Sequence, residues 1–213
     1  VNFHQKSIVY LVRPALRAAL YPYFRMEYEG VENVPKTGAV LLAPNHQAYA
    51  DPFLIGLPIR RPIHFMTWER PFREPYLRPI LKYFQCFPVS HDKPFDKNAL
   101  KITQDLLRAE QCVMIFPEGA RSKTGDLTDF KPGAFRVAIK HKVPIVPITL
   151  NGAFDSWPLH RKMPRPGRIN VYFHPPMTFT AEDRDIREVS IEAATAVREV
   201  IASRLTPSRL LTA

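Results

Sequence analysis

Short apolar runs separated by stretches of helical periodicity restrict the fold of this chain more than any other feature. Residues 39–43, 63–67, 86–89, 112–116, 145–150 and 169–173 are brief and largely apolar, and 25–30 is a further strand-like run. Between them the pattern predicts helices over 53–57, 76–84, 97–108 and 134–141. The segment 97–108 repeats Leu100, Ile102, Leu106 and Leu107 at helical spacing. A closing helix over 186–205 places Val189, Ala193, Val197 and Ile201 on one face. Strands this short and this apolar must be covered on both sides. The expectation is therefore an α/β single domain with a mostly buried mixed sheet flanked by helices. A chain of 213 residues, 46% of them apolar, can bury such a core. No internal repeat or low-complexity tract interrupts it.

The N-terminal stretch, residues 7–24, is apolar but a poor membrane span, because Arg13 and Arg17 interrupt it and Pro14 and Pro22 limit its helix. On a helix the two arginines, four apart, share one face opposite Val9, Val12, Leu16 and Leu20. Two readings follow: a helix lying in a membrane interface, or one packed on the protein's own core. The stretch has no signal-peptide cleavage pattern. The expected division is an amphipathic membrane-associating helix over 1–24 and a catalytic domain over 25–213.

A formal charge of +10 points to an anionic partner: nucleic acid, an anionic bilayer or a phosphorylated small molecule. No nucleic-acid recognition motif accompanies the charge, so nucleic acid is not expected. Arg60, Arg61, Arg70, Arg73, Arg78 and Lys82 alternate with Phe65, Trp68, Phe72, Tyr76 and Leu77. That mixture suits an anionic membrane surface, or else an ordinary solvated face over core aromatics. Cys86 and Cys112 lie in apolar runs and are expected to be reduced core thiols. No cysteine–histidine spacing suits a metal, and none is expected.

Two motifs carry chemistry, each directly after an apolar strand. The first is Asn45-His46-Gln47-Ala48-Tyr49-Ala50-Asp51-Pro52. Asp51-Pro52 reads as a helix start, with aspartate as N-cap and proline at the first helical position. A loop folding back onto that start can bring His46 to Asp51; the alternative is that Asp51 only caps the helix and His46 only fills the loop. An imidazole oriented by a carboxylate is a general base. No serine or cysteine nucleophile lies in the motif, so the attacking group is expected to be a substrate hydroxyl. The second motif is Phe116-Pro117-Glu118-Gly119-Ala120-Arg121-Ser122-Lys123. Arg121 offers a planar fork for phosphate and Lys123 a mobile positive charge. Glu118 can accept from a substrate hydroxyl or hold Arg121.

Together these motifs resemble the glycerophospholipid acyltransferase family, typified by the lysophosphatidic acid (1-acylglycerol-3-phosphate) acyltransferases. The likeness extends through Val31–Pro35, Lys131-Pro132-Gly133 and Val143–Ile148, covering roughly Tyr28 to Gly152. One block departs from it. Many members place an arginine, associated with the acceptor phosphate, after the segment matching Cys86–Val89. Here the chain reads Ser90-His91-Asp92-Lys93, leaving His91 or Lys93 for that role. The resemblance implies that His46, oriented by Asp51, deprotonates a lysophospholipid hydroxyl as it attacks an acyl thioester, acyl-CoA or acyl-carrier protein, with no other cofactor. It implies substrate binding by Glu118, Gly119, Arg121, Lys123 and Lys131, at the cytoplasmic face of a membrane. The rival readings are a lipid-binding or scaffolding protein without turnover, an acyltransferase for another lysolipid, and a hydrolase using water.

Overall fold

The computed structural model describes residues 7–90 and 96–208. The apolar runs form strands β1 (Glu27–Glu29), β2 (Val40–Pro44), β3 (His64–Trp68), β4 (Cys86–Val89), β5 (Cys112–Met114), β6 (Ile145–Asn151) and β7 (Asn170–Phe173). They make one seven-stranded sheet in the order β1-β7-β6-β2-β5-β3-β4. β7 is antiparallel to β6, while every other neighbouring pair is parallel, so the sheet is mixed as expected.

Alternation along the central strands divides the core into two layers. Val40 and Leu42 of β2, Cys112 and Met114 of β5, and Val146, Ile148 and Leu150 of β6 face one side. Leu41, Ala43, Val113, Ile115 and Ile145 face the other. The first side is covered by α1 (Arg13–Phe24) and α2 (Asp51–Gly56), through Leu16, Leu20, Phe24, Leu54 and Ile55. A short helix α3 (Leu77–Tyr83) lies between β3 and β4 in the chain. The second side is covered by α4 (Lys97–Arg108), α5 (Gly133–Lys140) and α7 (Ile186–Ala202), with a short α6 (Ala153–Ser156) following β6. Val189, Ala193, Val197 and Ile201 of α7 are all buried, as their spacing predicts. A fully buried valine or isoleucine contributes roughly 1.5–3 kcal/mol, so this stripe fixes α7 on the sheet. Cys112 is buried and Cys86 half-buried, both as free thiols.

The N-terminal helix departs from the simple amphipathic picture. Arg13 is buried, and its Nη1 donates to the carbonyls of Ile59 at 2.5 Å and Arg61 at 2.8 Å. It therefore does not share a solvated face with Arg17, which is exposed over the Tyr21 ring. Burial lowers the Arg13 guanidinium to about 10, and the two carbonyls hold it in place. Residues Ile8–Val12 form a π-helical turn directly ahead of Pro14. Proline supplies no N–H and crowds the carbonyl four residues back, which accounts for the widened turn there. Leu16 and Leu20 pack on the core, while Tyr10 and Leu11 are 68% and 69% exposed. Among the described residues no helix is long and apolar enough to cross a membrane.

Arg61 also leaves the expected basic surface. Its guanidinium donates to the carbonyls of Pro35, Gly38 and Glu110, tying three loops together.

Candidate active site

β2 and β5 are adjacent and parallel, with Leu42 opposite Met114, so the loops after them leave the same edge of the sheet side by side. This is the carboxyl edge, where open α/β sheets hold ligands. The first loop carries His46 and the second Glu118 and Arg121.

Within the first loop, Nδ1 of His46 lies 2.8 Å from Oδ2 of Asp51. The same oxygen accepts from the backbone N–H groups of Gln47 at 2.5 Å and Ala48 at 2.8 Å. Asp51 is fully buried, and its Oδ1 has no hydrogen-bond partner among the described residues. The expected helix cap is corrected here. Asp51 is the first residue of α2 and Pro52 the second, with Ala50 in the cap position. The carboxylate turns away from its own helix and ties down the loop before it, because those two N–H groups would otherwise be buried unpaired. Asn45 pairs both ways with the backbone of Leu150, through Nδ2 at 3.0 Å and Oδ1 at 2.7 Å. Gln47 donates to the Gly125 carbonyl and accepts from the Phe154 N–H. The loop is thus anchored on both flanks of β2.

The second loop grips the first. The His46 N–H donates to Oε1 of Glu118 at 2.6 Å, and the Ser122 N–H donates to the His46 carbonyl at 2.8 Å. Oε2 of Glu118 accepts from the N–H and hydroxyl of Thr128. Both carboxylate oxygens are therefore committed to holding loops, and Glu118 does not hold Arg121. Burial pushes its carboxyl above the usual range, opposed by those hydrogen bonds. The ring of Phe116 stacks on the His46 imidazole at 3.9 Å and 23°. The side chain of His46 remains 18% exposed.

Arg121 lies with Cζ 3.4 Å from the centroid of the Tyr49 ring, and its Nη1 is buried without a hydrogen-bond partner among the described residues. Gly119 has φ +75°, and a Cβ there would meet Lys131 Nζ at 2.7 Å, so the lysine ammonium lies against this glycine. Gly119 therefore both permits the left-handed turn and admits Lys131. Lys123 is exposed in the following turn and takes no part in these links. His91 and Lys93 lie outside the described residues.

Tyr49, Phe116, Thr128, Asn45 and Gln47 were not expected from the sequence to shape the site. All except Thr128 lie in the two motifs, beside residues that were. Their residue types signalled aromatic surface and amide hydrogen bonding, but nothing local named their partners.

Comparisons with known proteins place this chain among acyltransferases. A family model described as acyltransferase matches residues 25–151, which contain both loops. The chain is 33% identical over 163 residues to the chloroplastic 1-acyl-sn-glycerol-3-phosphate acyltransferase LPAT1 of Arabidopsis thaliana, covering 75% of this chain and 45% of that one. It is 30% identical over 201 residues to a 1-acyl-sn-glycerol-3-phosphate acyltransferase of Chlamydomonas reinhardtii, covering 89% and 56%. The chain thus spans about half the length of the curated relatives it matches. The crystal structure of PlsC, the 1-acyl-sn-glycerophosphate acyltransferase of Thermotoga maritima, shares the fold with a TM-score of 0.72 at 23% identity. That match covers 94% of this chain and 82% of that one. With the histidine–aspartate loop and the glutamate–arginine loop both inside the matched residues, this chain belongs to the acyltransferase family.

Proposed function

We propose that this protein transfers a fatty acyl group from an acyl thioester, acyl-CoA or acyl-carrier protein, to the free hydroxyl of lysophosphatidate, forming phosphatidate. The observation that carries this reading is the His46–Asp51 pair, held rigidly at the carboxyl edge of the sheet. Oδ2 of Asp51 already accepts from two backbone N–H groups, so it acts as an acceptor toward the imidazole as well. The hydrogen then sits on Nδ1 and the basic lone pair on Nε2. Nε2 takes the proton of the acceptor hydroxyl as its oxygen attacks the thioester carbonyl carbon. The new C–O bond forms, the C–S bond breaks, and the leaving thiolate recovers the proton from the imidazolium. The unpartnered Oδ1 of Asp51 adds negative potential where that imidazolium forms. General-base help supplies roughly a hundred- to ten-thousandfold, so positioning by both loops contributes the rest.

An acyl-enzyme is not part of this reading. Burial pushes the thiols of Cys86 and Cys112 up to about 11 and 12, which suppresses the nucleophilic thiolate at neutral pH. Arg121 with Lys131 and Lys123 is assigned the acceptor phosphate, a phosphomonoester with up to two negative charges near neutral pH. The names of the plant and algal relatives support that acceptor.

Acceptor and product are bilayer lipids, and the surface suits an anionic membrane. Tyr10 and Leu11 project from the N-terminal helix, and Trp68, Tyr76 and Ile80 are exposed together with Arg70, Arg73, Arg78 and Lys82. The Ser7 hydroxyl lies 2.9 Å from that of Tyr83, which links the start of the N-terminal helix to α3. Each basic side chain near such a surface contributes about 1 kcal/mol.

The test is mass spectrometry of products from a lysolipid panel offered with acyl-CoA and with acyl-carrier protein. Phosphatidate is expected as the principal product. Arg121→Ala should raise KM for lysophosphatidate far more than KM for the donor. A wild-type preference for lysophosphatidylcholine, which carries a phosphodiester and a bulkier headgroup, would overturn the acceptor assignment.

A further inference from the structure

We propose that Tyr49 is a positioning residue for Arg121, and that its ring sets the acceptor affinity of the site. The inference rests on Arg121 binding the acceptor phosphate, as proposed above.

Tyr49 stands three residues after His46 and two before Asp51, within the loop tied down by the Asp51 carboxylate. Arg121 stands in the loop after β5, beside Ser122, whose N–H donates to the His46 carbonyl. The arginine Cζ lies 3.4 Å from the Tyr49 ring centroid. An edge-on guanidinium would keep its central carbon farther away, so this distance requires the planar group to lie nearly flat on the ring. Lying flat, it directs its N–H bonds outward in its own plane and gives none of them to the tyrosine. The ring quadrupole attracts the charge without consuming a donor.

Two further observations indicate what those donors meet. Nη1 of Arg121 is buried and has no hydrogen-bond partner among the described residues. A desolvated cationic donor left unpaired is costly, and an anion arriving at it recovers that cost. Among the described residues no carboxylate forms an ion pair with Arg121, and Glu118, in the same loop, accepts instead from His46 and Thr128. Arg121 is thus held by an aromatic face in place of an ion pair, and it keeps its full charge for the ligand. Holding it with a carboxylate would neutralise the charge that a phosphate needs. Tyr49 is itself 56% exposed, so replacing it leaves the core intact. The same loop therefore orients the imidazole through Asp51 and the guanidinium through Tyr49, which couples the base to the phosphate anchor.

The experiment compares Tyr49→Leu, Tyr49→Phe, Arg121→Ala and the double variant Tyr49→Leu/Arg121→Ala in steady-state kinetics, varying lysophosphatidate and acyl-CoA separately. Tyr49→Leu should raise KM for lysophosphatidate by about threefold to thirtyfold, the range spanned by a cation–π contact from exposed to desolvated. KM for acyl-CoA should not move. Tyr49→Phe, which keeps the ring face and loses only the hydroxyl, should stay within about threefold of wild type. In the Arg121→Ala background, Tyr49→Leu should add nothing. Thermal melting checks folding, and Tyr49→Met replaces the leucine variant if that one melts early. If Arg121→Ala raises the acceptor KM and neither Tyr49→Leu nor Tyr49→Met does, the role of Tyr49 is refuted while the phosphate assignment stands. An effect of Tyr49→Leu that persists undiminished without Arg121 refutes it as well. If Arg121→Ala leaves the acceptor KM unchanged, the phosphate assignment falls first and takes this inference with it.

Discussion

The backbone N–H of His46 donates to Oε1 of Glu118 at 2.6 Å, across 72 residues of chain. This bond clasps the loop after β2 to the loop after β5 at the residue that carries the imidazole. Glu118→Ala would leave that N–H and the Thr128 N–H without acceptors. The expected loss is about 2–4 kcal/mol of stability, with kcat falling at least tenfold through displacement of the imidazole. Glu118→Gln retains one acceptor but turns an amide donor toward either His46 or Thr128, so it should rescue only part of kcat. Denaturation and kinetics on both variants check this, and a glutamine variant with wild-type kcat and stability would contradict the clasp.

The His46–Asp51 pair makes a separate prediction about chemistry. His46→Ala should reduce kcat by about a hundredfold to ten-thousandfold with little change in the melting temperature. Asp51→Asn should also cut kcat, because an amide presenting its NH2 toward Nδ1 favours the tautomer with the hydrogen on Nε2. Unlike His46→Ala it should destabilise the fold, since Asp51 also accepts from Gln47 and Ala48. Equal melting temperatures for the two variants would argue against the double role of Asp51.

Arg13 offers a test away from the site. Arg13→Leu removes the donor to the carbonyls of Ile59 and Arg61, while also removing the desolvation that lowers its guanidinium to about 10. The net expected cost is about 1–3 kcal/mol, because broken charge-assisted bonds outweigh the relief. A urea midpoint shifted with unchanged slope is the readout. No shift would mean that α1 docks through its apolar face alone.

Stability should fall on mild acidification. His174 and His64 are both held below the ordinary imidazole pKa of 6.5, chiefly by burial. A folded pKa below the unfolded one contributes stability that is complete above about 6.5 and is lost as pH falls through the folded value. Nε2 of His174 lies 2.8 Å from the Thr149 hydroxyl, which in turn donates to the Ile201 carbonyl at the end of α7. His174→Gln should therefore flatten the dependence of unfolding free energy on pH below 6.5. An unaltered slope would show that other groups dominate that range.

Membrane attachment should respond to the exposed N-terminal side chains. Replacing Tyr10 and Leu11 together with serine should weaken co-sedimentation with anionic vesicles by at least about tenfold, given roughly 1.5–3 kcal/mol for each apolar side chain buried. Raising the salt concentration should weaken the remaining binding by screening Arg70, Arg73 and Arg78. Binding that ignores both treatments would place the lipid contact elsewhere.

The layers of this protein are legible in its residue pattern. Val40 and Leu41 alternate between the two core faces, and Val189 to Ile201 recur at helical spacing, because local periodicity dictates which side chains share a face. The two loops are legible as well, since His46, Asp51 and Arg121 stand in the polar motifs that follow apolar strands. What those loops do to each other depends on how the strands pack. Placing β5 beside β2, with Leu42 against Met114, sets Phe116 under the imidazole, Glu118 on the His46 amide and Arg121 over Tyr49. Tertiary packing likewise buried Arg13, which helical periodicity alone places on one face with Arg17, by supplying two carbonyls from residues 46 and 48 positions away. Periodicity reports the face that a residue occupies. The partner it meets depends on strand order and register, which are settled only when distant segments pack and satisfy each other's buried polar groups.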